Sequence, residues 1–226
     1  MPPMPRMETE RSSRAIPCVR HPIFARAYDH LFSPLIEREV AHLREELLAE
    51  LAGSVLEVGA GNGASFAHYP SRVTELVAVE PERYLRMQAE RAAARAPVPT
   101  SVRAGSAESL PVASASFDAA VVSLVLCSVS DLGLALAELR RALVPGGELR
   151  FLEHVRSKRP RKARVQELLD RSGLWPALAG GCHCARETAA AIEAAGFQIE
   201  RVRTLDAGPS WIHTNPMMIG HARSRS

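Results

Sequence analysis

Lysine is nearly absent from this chain. Of 28 basic residues among 226, only Lys158 and Lys162 are lysine, an arginine bias that points to GC-rich coding rather than to a physical demand. Cysteine is scarce too. Cys18, Cys127, Cys182 and Cys184 are too few for a disulfide scaffold, and the one-residue spacing of Cys182 and Cys184 suits neither an easy disulfide nor a CxxC redox motif. Long apolar runs are missing. The longest, near 119–129, is broken by Ser123 and Ser128 and falls short of the ~18 residues a membrane helix needs. The opening MPPMPRMETERSSR has no apolar region of the secretory type. Internal repeats are absent. These absences exclude a disulfide-stapled secreted module, a membrane-spanning protein and a repeat array, and the expected location is cytoplasmic.

The length fits one full-sized domain with a core large enough to need no staple. The formal net charge of +3 is too small to mark a nucleic-acid binder, and none is expected as a partner. Its source is local. Arg156, Lys158, Arg159, Arg161, Lys162 and Arg164 fall within nine residues; without them 22 cations face 25 anions and the balance becomes −3. A solvated face is the plain reading of such a run. The alternative is contact with an anionic acceptor or lipid surface.

Residues 1–21, with Pro2, Pro3, Pro5 and Pro17, read as a mobile tail. Residues 22–226 read as one domain. A helical arm occupies 22–52, its apolar positions Val40, Leu43, Leu47 and Leu51 at helical spacing and Gly53 closing the helix. Strands and helices then alternate. Val55–Val58, Leu76–Val79, Thr100–Arg103, Phe117–Cys127 and Glu148–Val155 read as strands, and Arg83–Ala94 and Leu132–Leu143 as helices. This alternation predicts an α/β, Rossmann-like, doubly wound sheet. Phe197–Thr204 and Met217–Ala222 have no helix between them and predict a C-terminal antiparallel hairpin, which completes seven strands.

The first strand runs into Glu57-Val58-Gly59-Ala60-Gly61-Asn62-Gly63-Ala64. Glycines there let the backbone approach a ligand at the carboxyl end of the sheet. Two readings fit. Gly59-x-Gly61-x-x-Ala64 satisfies the dinucleotide fingerprint. Glu57-x-Gly59-x-Gly61-x-Gly63 resembles the acidic glycine loop of class I methyltransferases. Glu80, 17 residues beyond Gly63, can accept both ribose hydroxyls of either cofactor.

The neighbouring motifs resemble the methyltransferases throughout 54–155. Gly105–Pro111 is similar to their adenine-recognition turn, Phe117–Ser123 to their fourth strand, and Leu143–Gly147 to the turn into their fifth. Further stretches, Gly63–Pro70, Leu124–Val129, Phe151–Val155 and Gly181–Thr188 with Trp175 before it, resemble the methyltransferase-like family that includes animal alkyl-thiol S-methyltransferases. The resemblance implies a class I methyltransferase fold, S-adenosyl-L-methionine as cofactor and a small-molecule methyl acceptor. It assigns cofactor contacts to Glu57, Gly59, Ala60, Gly61, Gly63, Glu80, Pro81, Ala107, Glu108 and Ser123, and to Tyr28 on an arm that folds over the cofactor. Tyr28 as a plain helix-packing aromatic is the simpler reading. The chain departs from the animal proteins in lacking their long hydrophobic N-terminal anchor and in a rewritten 156–180, within an acceptor-side region of 156–195 that precedes the terminal strands of 196–226.

An alkyl thiol is the first acceptor implied and a quinone- or lipid-like compound the second. A nicotinamide oxidoreductase and a non-catalytic cofactor-binding module are the rivals from other classes. Methyl transfer from a sulfonium needs alignment and a deprotonated nucleophile. Glu153 and His154, after the fifth strand, are the candidates to supply it. Cys127 reads as a small buried hydrophobe or a reactive thiol. Cys182-His183-Cys184 cannot close a tetrahedral metal site alone, and no second Cys/His pair lies near it in sequence, so no metal is expected.

Overall fold

The computed structural model describes Arg26, Asp29 and residues 33–207 and 212–225. The tail at 1–21 and Tyr28 lie outside the described residues. Helix α1 (Ser33–Leu48) carries the expected apolar stripe, with Val40, Leu43, Leu47 and Leu51 all buried. It stops earlier than the glycine suggested. Leu51 N–H bonds Leu48 O at 3.0 Å in a tight turn, and Gly53, at φ +75°, opens the first strand instead.

The strands are β1 (Gly53–Val58), β2 (Val73–Val79), β3 (Thr100–Arg103), β4 (Phe117–Ser123), β5 (Leu143–His154), β6 (Phe197–Leu205) and β7 (Met217–Ser224). They form one sheet in the order β3-β2-β1-β4-β5-β7-β6. The first five are parallel, and β7 pairs antiparallel with both β5 and β6, the terminal hairpin expected. Helices α2 (Arg83–Ala93), α3 (Leu132–Ala142), α4 (Pro160–Ser172), α5 (Leu174–Leu178) and α6 (Thr188–Ala194) complete the described chain. Two helices start on side-chain caps. Glu82 accepts Leu85 N–H, and Asp131 accepts Leu134 N–H, each at 2.9 Å.

The central strands are buried on both faces, so their sequences read as near-continuous apolar runs. On one face Leu56, Val77, Ala120 and Phe151 pack with Leu136, Leu139 and Ile192. On the other, Val55, Leu76, Val121 and Leu152 pack with Val40, Leu43 and Leu47. Among the described residues no helix is long and apolar enough to cross a membrane.

The register sets the site. Val58 pairs with both Val79 and Val122, and Ser123 with Leu152, so β1, β2, β4 and β5 end at one edge. Strand order reverses between β1 and β4, the switch point at which open α/β sheets bind ligands. β4 is shorter than Phe117–Cys127 because Leu124 turns out of the strand at φ +60°, its N–H still bonded to Leu152 O at 2.7 Å.

Candidate active site

Gly59 N–H and Ala60 N–H both donate to Val79 O, at 2.8 and 3.2 Å, which folds the loop after β1 onto the end of β2. Gly59 sits at φ +72°, and a Cβ on it would lie 2.4 Å from Val125 Cγ2. Only glycine fits that backbone. Gly61 N–H donates to Glu80 Oε2 at 2.8 Å, and Glu82 N–H to Oε1 at 2.9 Å. Glu80 is 5% exposed, and burial pushes its carboxyl up to about 7 against those two hydrogen bonds. Each oxygen keeps a second lone pair, so a bidentate contact with a ribose diol stays open to it. Pro81 follows, its carbonyl and that of Glu80 both held by Arg86 Nη1.

Glu57 precedes the last residue of β1. Its two oxygens accept Ser65 Oγ at 2.5 Å and Tyr69 OH at 2.9 Å, and the side chain is buried. Burial raises its pKa, countered by those hydroxyls and by Arg44. In this geometry it braces the glycine loop from behind. The pre-core arm does reach the loop. Asp29 accepts Asn62 Nδ2 at 2.9 Å and Tyr84 OH at 3.0 Å.

Ala107 and Glu108 sit in a turn closed by a Ser106–Ser109 bridge. The Glu108 carboxylate accepts Ser130 N–H at 2.8 Å, tying the turn to the loop before α3. Ser123, the last residue of β4, has a buried hydroxyl oxygen with no hydrogen-bond partner, as a group awaiting a polar ligand would.

The two carboxyl-end candidates on β5 separate in role. Glu153 is fully buried, and its oxygens accept the N–H groups of Val125, Leu126 and Cys127 at 2.9, 2.9 and 3.0 Å. Burial raises its pKa, opposed by these bonds. Unexposed and bonded to three backbone N–H groups, it holds the loop after β4, and its expected part in catalysis is an indirect one. His154 is only half-buried. Its Nδ1 lies 3.8 Å from Cys127 Sγ and 3.4 Å from Cys182 Sγ, and Cys182 Sγ lies 3.8 Å from Cys184 Sγ. All three thiols are free and buried, with Trp175 and Ala179 packed on them. The Cys182 contact and burial push the Cys127 thiol well up, so it is held neutral rather than activated.

The sequence spacing did not foretell this cluster. The parallel register of β4 and β5 brings Cys127 and His154 together, and the loop after α5, remote from both along the chain, adds Cys182. His183, between the two cysteines, points elsewhere, its Nδ1 4.0 Å from an Asp170 oxygen.

Residues 56–151 match the family model described as "Methyltransferase domain". The chain is 33% identical to human thiol S-methyltransferase TMT1A over 84% of this chain and 82% of that protein. It belongs to that family of class I methyltransferases. S-Adenosyl-L-methionine is accordingly the cofactor of this methyltransferase, and the rivals, a nicotinamide oxidoreductase and a non-catalytic module, fall away. Solved structures agree on the fold. A methyltransferase from Thermotoga maritima, described as a possible histamine N-methyltransferase, superposes with TM-score 0.65 at 22% identity, covering 90% of this chain and 98% of that one. Geranyl diphosphate methyltransferase in complex with GPP and sinefungin does so with TM-score 0.65 at 16% identity, covering 84% and 78%. The glycine cradle, the spare lone pairs of Glu80 and the unpartnered Ser123 hydroxyl fit such a nucleoside cofactor.

Proposed function

We propose that this methyltransferase transfers its methyl group to the sulfur of a small alkyl thiol. The observation that supports this reading is the buried thiol cluster of Cys127, Cys182 and Cys184, with Trp175 packed on it and the half-buried imidazole of His154 in contact with two of the sulfurs at the carboxyl end of β5. Such surroundings suit a neutral, soft, poorly hydrated acceptor beside His154. The family membership points the same way.

The cofactor supplies an activated methyl group. Gly59–Gly63 and Glu80, with Ser123 at the end of β4, are the residues that hold it, and Ala107, Glu108 and the arm around Tyr28 remain part of the proposed cofactor site. The acceptor is oriented, or relieved of its proton, by His154. Residues 156–195, which contain α4, α5 and α6, form the proposed acceptor side and carry the specificity. Small alkyl thiols should be converted to methyl thioethers with an equal yield of S-adenosylhomocysteine. A panel of alkyl thiols assayed beside quinols and hydroxylated lipids tests this. Turnover confined to the quinols or lipids overturns the thiol reading.

A peripheral contact with anionic lipid is a further part of this proposal. Arg161, Arg164, Val165 and Leu168 are all exposed at helical spacing on α4, and Leu174 and Leu178 on α5 are more than 60% exposed. Cations beside bare leucines are the composition of an interfacial helix face. Arg156 is spoken for by Glu167 at 2.8 Å and Lys162 is half-buried, so the exposed cations are Lys158, Arg159, Arg161 and Arg164. Neutralising these four should abolish sedimentation with phosphatidylserine vesicles and leave cofactor affinity unchanged. Undiminished sedimentation removes the contact. A cytoplasmic location stays part of the same proposal, with the three free thiols as its support.

A further inference from the structure

Cys127 Sγ, Cys182 Sγ and His154 Nδ1 lie within 4.8 Å of one another. Two ligand bonds of about 2.3 Å to sulfur and 2.0 Å to nitrogen at a tetrahedral angle place sulfur and nitrogen about 3.5 Å apart. The two sulfur–nitrogen distances here, 3.8 and 3.4 Å, straddle that value. From this geometry we infer a site for one zinc-class cation, held by Cys127, Cys182 and His154, whose remaining position takes the acceptor thiol.

The chemistry of the donors selects the ion. Two sulfurs and an imidazole favour a soft or borderline d10 cation over magnesium or calcium. Three protein ligands, not four, are the mark of a zinc site that keeps a position for substrate.

The backbone holds the donors from behind. Glu153 accepts the N–H of Cys127, and Cys127 O accepts His183 N–H at 2.7 Å, which joins the two cysteine-bearing segments directly. Asp170 accepts the N–H groups of Cys184 and Ala185 at 3.0 and 2.8 Å. Arg186 donates to Leu126 O and Val129 O, on either side of Cys127 and Ser128. Gly181, at φ +91°, lets the second segment pass so close that a Cβ there would lie 2.8 Å from Ser128 O. Supports of this kind around the ligand residues are what metal sites require.

A second observation comes from Trp175. Its buried indole N–H lies against Cys182 Sγ, while the ring packs on the cysteine cluster. A metal-bound thiolate would be a stronger acceptor for that donor than a neutral thiol.

The role in catalysis rests on the thiol reading above, with His154 orienting the acceptor through the ion and not taking its proton. The acceptor S–H bond breaks, its proton passes to water, and the sulfur binds the cation as thiolate. That sulfur then attacks the methyl carbon. A new carbon–sulfur bond forms, the carbon–sulfonium bond breaks, and its electron pair stays on S-adenosylhomocysteine; the thioether, a weaker ligand, departs. A free thiol with pKa ~8.5 is about 3% thiolate at pH 7, so coordination raises the reactive fraction about 30-fold.

The test uses the full chain, stripped with a chelator and reloaded with Zn2+ or Co2+. One ion per chain should bind, and the cobalt form should show thiolate-to-cobalt charge-transfer absorption. Cys127→Ser, Cys182→Ser and His154→Ala should each lose stoichiometric binding, while thermal stabilisation by S-adenosylhomocysteine shows that they still fold. Cys184→Ser should keep the ion. Thiol methylation at pH 7 should fall about 30-fold on stripping, the gap closing as pH rises past 8.5. Failure of wild type to bind an ion overturns the site, and loss of binding in Cys184→Ser overturns the open position. Equal rates at pH 7 with and without metal overturn the catalytic role and leave the thiol reading standing. If neither form methylates any thiol but the ion binds, the thiol reading and the catalytic role fall and the site remains.

Discussion

Glu153 and Cys127, 26 residues apart, are joined by a 3.0 Å hydrogen bond from the backbone of the cysteine to the carboxylate. The same carboxylate takes the two preceding N–H groups, so one buried side chain fixes the whole turn that begins at Leu124. Glu153→Gln keeps the volume but turns an amide donor against backbone donors. The expected cost is about 2–4 kcal/mol, the range for a buried charged acceptor lost to several partners. A lowered denaturant midpoint checks it. Methyl transfer should fall with the displaced loop more than S-adenosylhomocysteine binding does, since the glycine loop and Glu80 lie across the switch point and only Ser123 adjoins the displaced turn. Wild-type stability in this variant contradicts the anchoring role.

Glu80 makes a pH prediction. Its folded carboxyl is raised to about 7 from an ordinary 4.5, so between those values the native state holds a proton that the unfolded chain has released. Stability attributable to this group therefore declines as pH rises from about 4.5 to 7 and is flat above. Over the full window the decline is about 3 kcal/mol. Glu57 and Glu153 are raised as well and slope the same way. The comparison that isolates Glu80 is wild type against Glu80→Gln, whose curve should lack that part of the slope. Cofactor affinity should move oppositely, tightening in wild type between pH 6 and 8 as the carboxylate ionises to accept ribose hydroxyls. Parallel stability curves for the two proteins contradict it.

Much of the fold was legible because period and punctuation agree. The apolar runs of β1, β2 and β4 mark strands buried on both faces, and the missing helix before Met217 marks the hairpin. The glycine loop and Glu80 were legible because they are contiguous with strand ends. What escaped depended on side-chain direction and on register. Glu57 lies in the motif yet turns to Ser65 and Tyr69, because alternate residues of β1 face opposite sides of the sheet. Glu153 and His154 are neighbours for which the same alternation gives opposite fates, one buried beneath the β4 loop and the other at the cleft edge. Cys127 and His154 meet because β4 and β5 end level, and Cys182 joins them through the loop after α5, tied to Cys127 by the His183 N–H bond, a convergence no local spacing carries.

Asp29 links the arm to the glycine loop through Asn62 and to α2 through Tyr84. Asp29→Ala removes both acceptors, at about 1 kcal/mol each. The arm should loosen, and limited proteolysis should cut within the first 50 residues sooner than in wild type. Affinity for S-adenosylhomocysteine should drop by about tenfold for the first 1.4 kcal/mol lost. Tyr84→Phe deletes one of the two bonds and should give an intermediate result. Unchanged proteolysis and affinity in Asp29→Ala contradict a closing role for the arm.

Gly63 and Gly146 form a controlled pair. Both lie in left-handed backbone, at φ +80° and +76°. A Cβ on Gly146 meets nothing within 4 Å, whereas one on Gly63 would lie 2.8 Å from the Phe66 ring and 2.9 Å from Ala92 Cβ. Alanine at Gly146 therefore costs only the left-handed strain, about 1–2 kcal/mol. Alanine at Gly63 bears the same strain plus overpacking of about 1–3 kcal/mol, because Phe66 is itself 1% exposed and cannot swing away. Thermal denaturation should rank the two variants in that order. The chemistry should separate them further, since Gly146→Ala lies at the start of β5, remote from the cofactor edge, and should keep wild-type affinity for S-adenosylhomocysteine. Gly63→Ala displaces the loop itself and should lose that affinity in proportion to its extra instability. Equal destabilisation of the two would mean that the crowding around Gly63 relaxes freely and that the loop is not held in shape by its packing on Phe66.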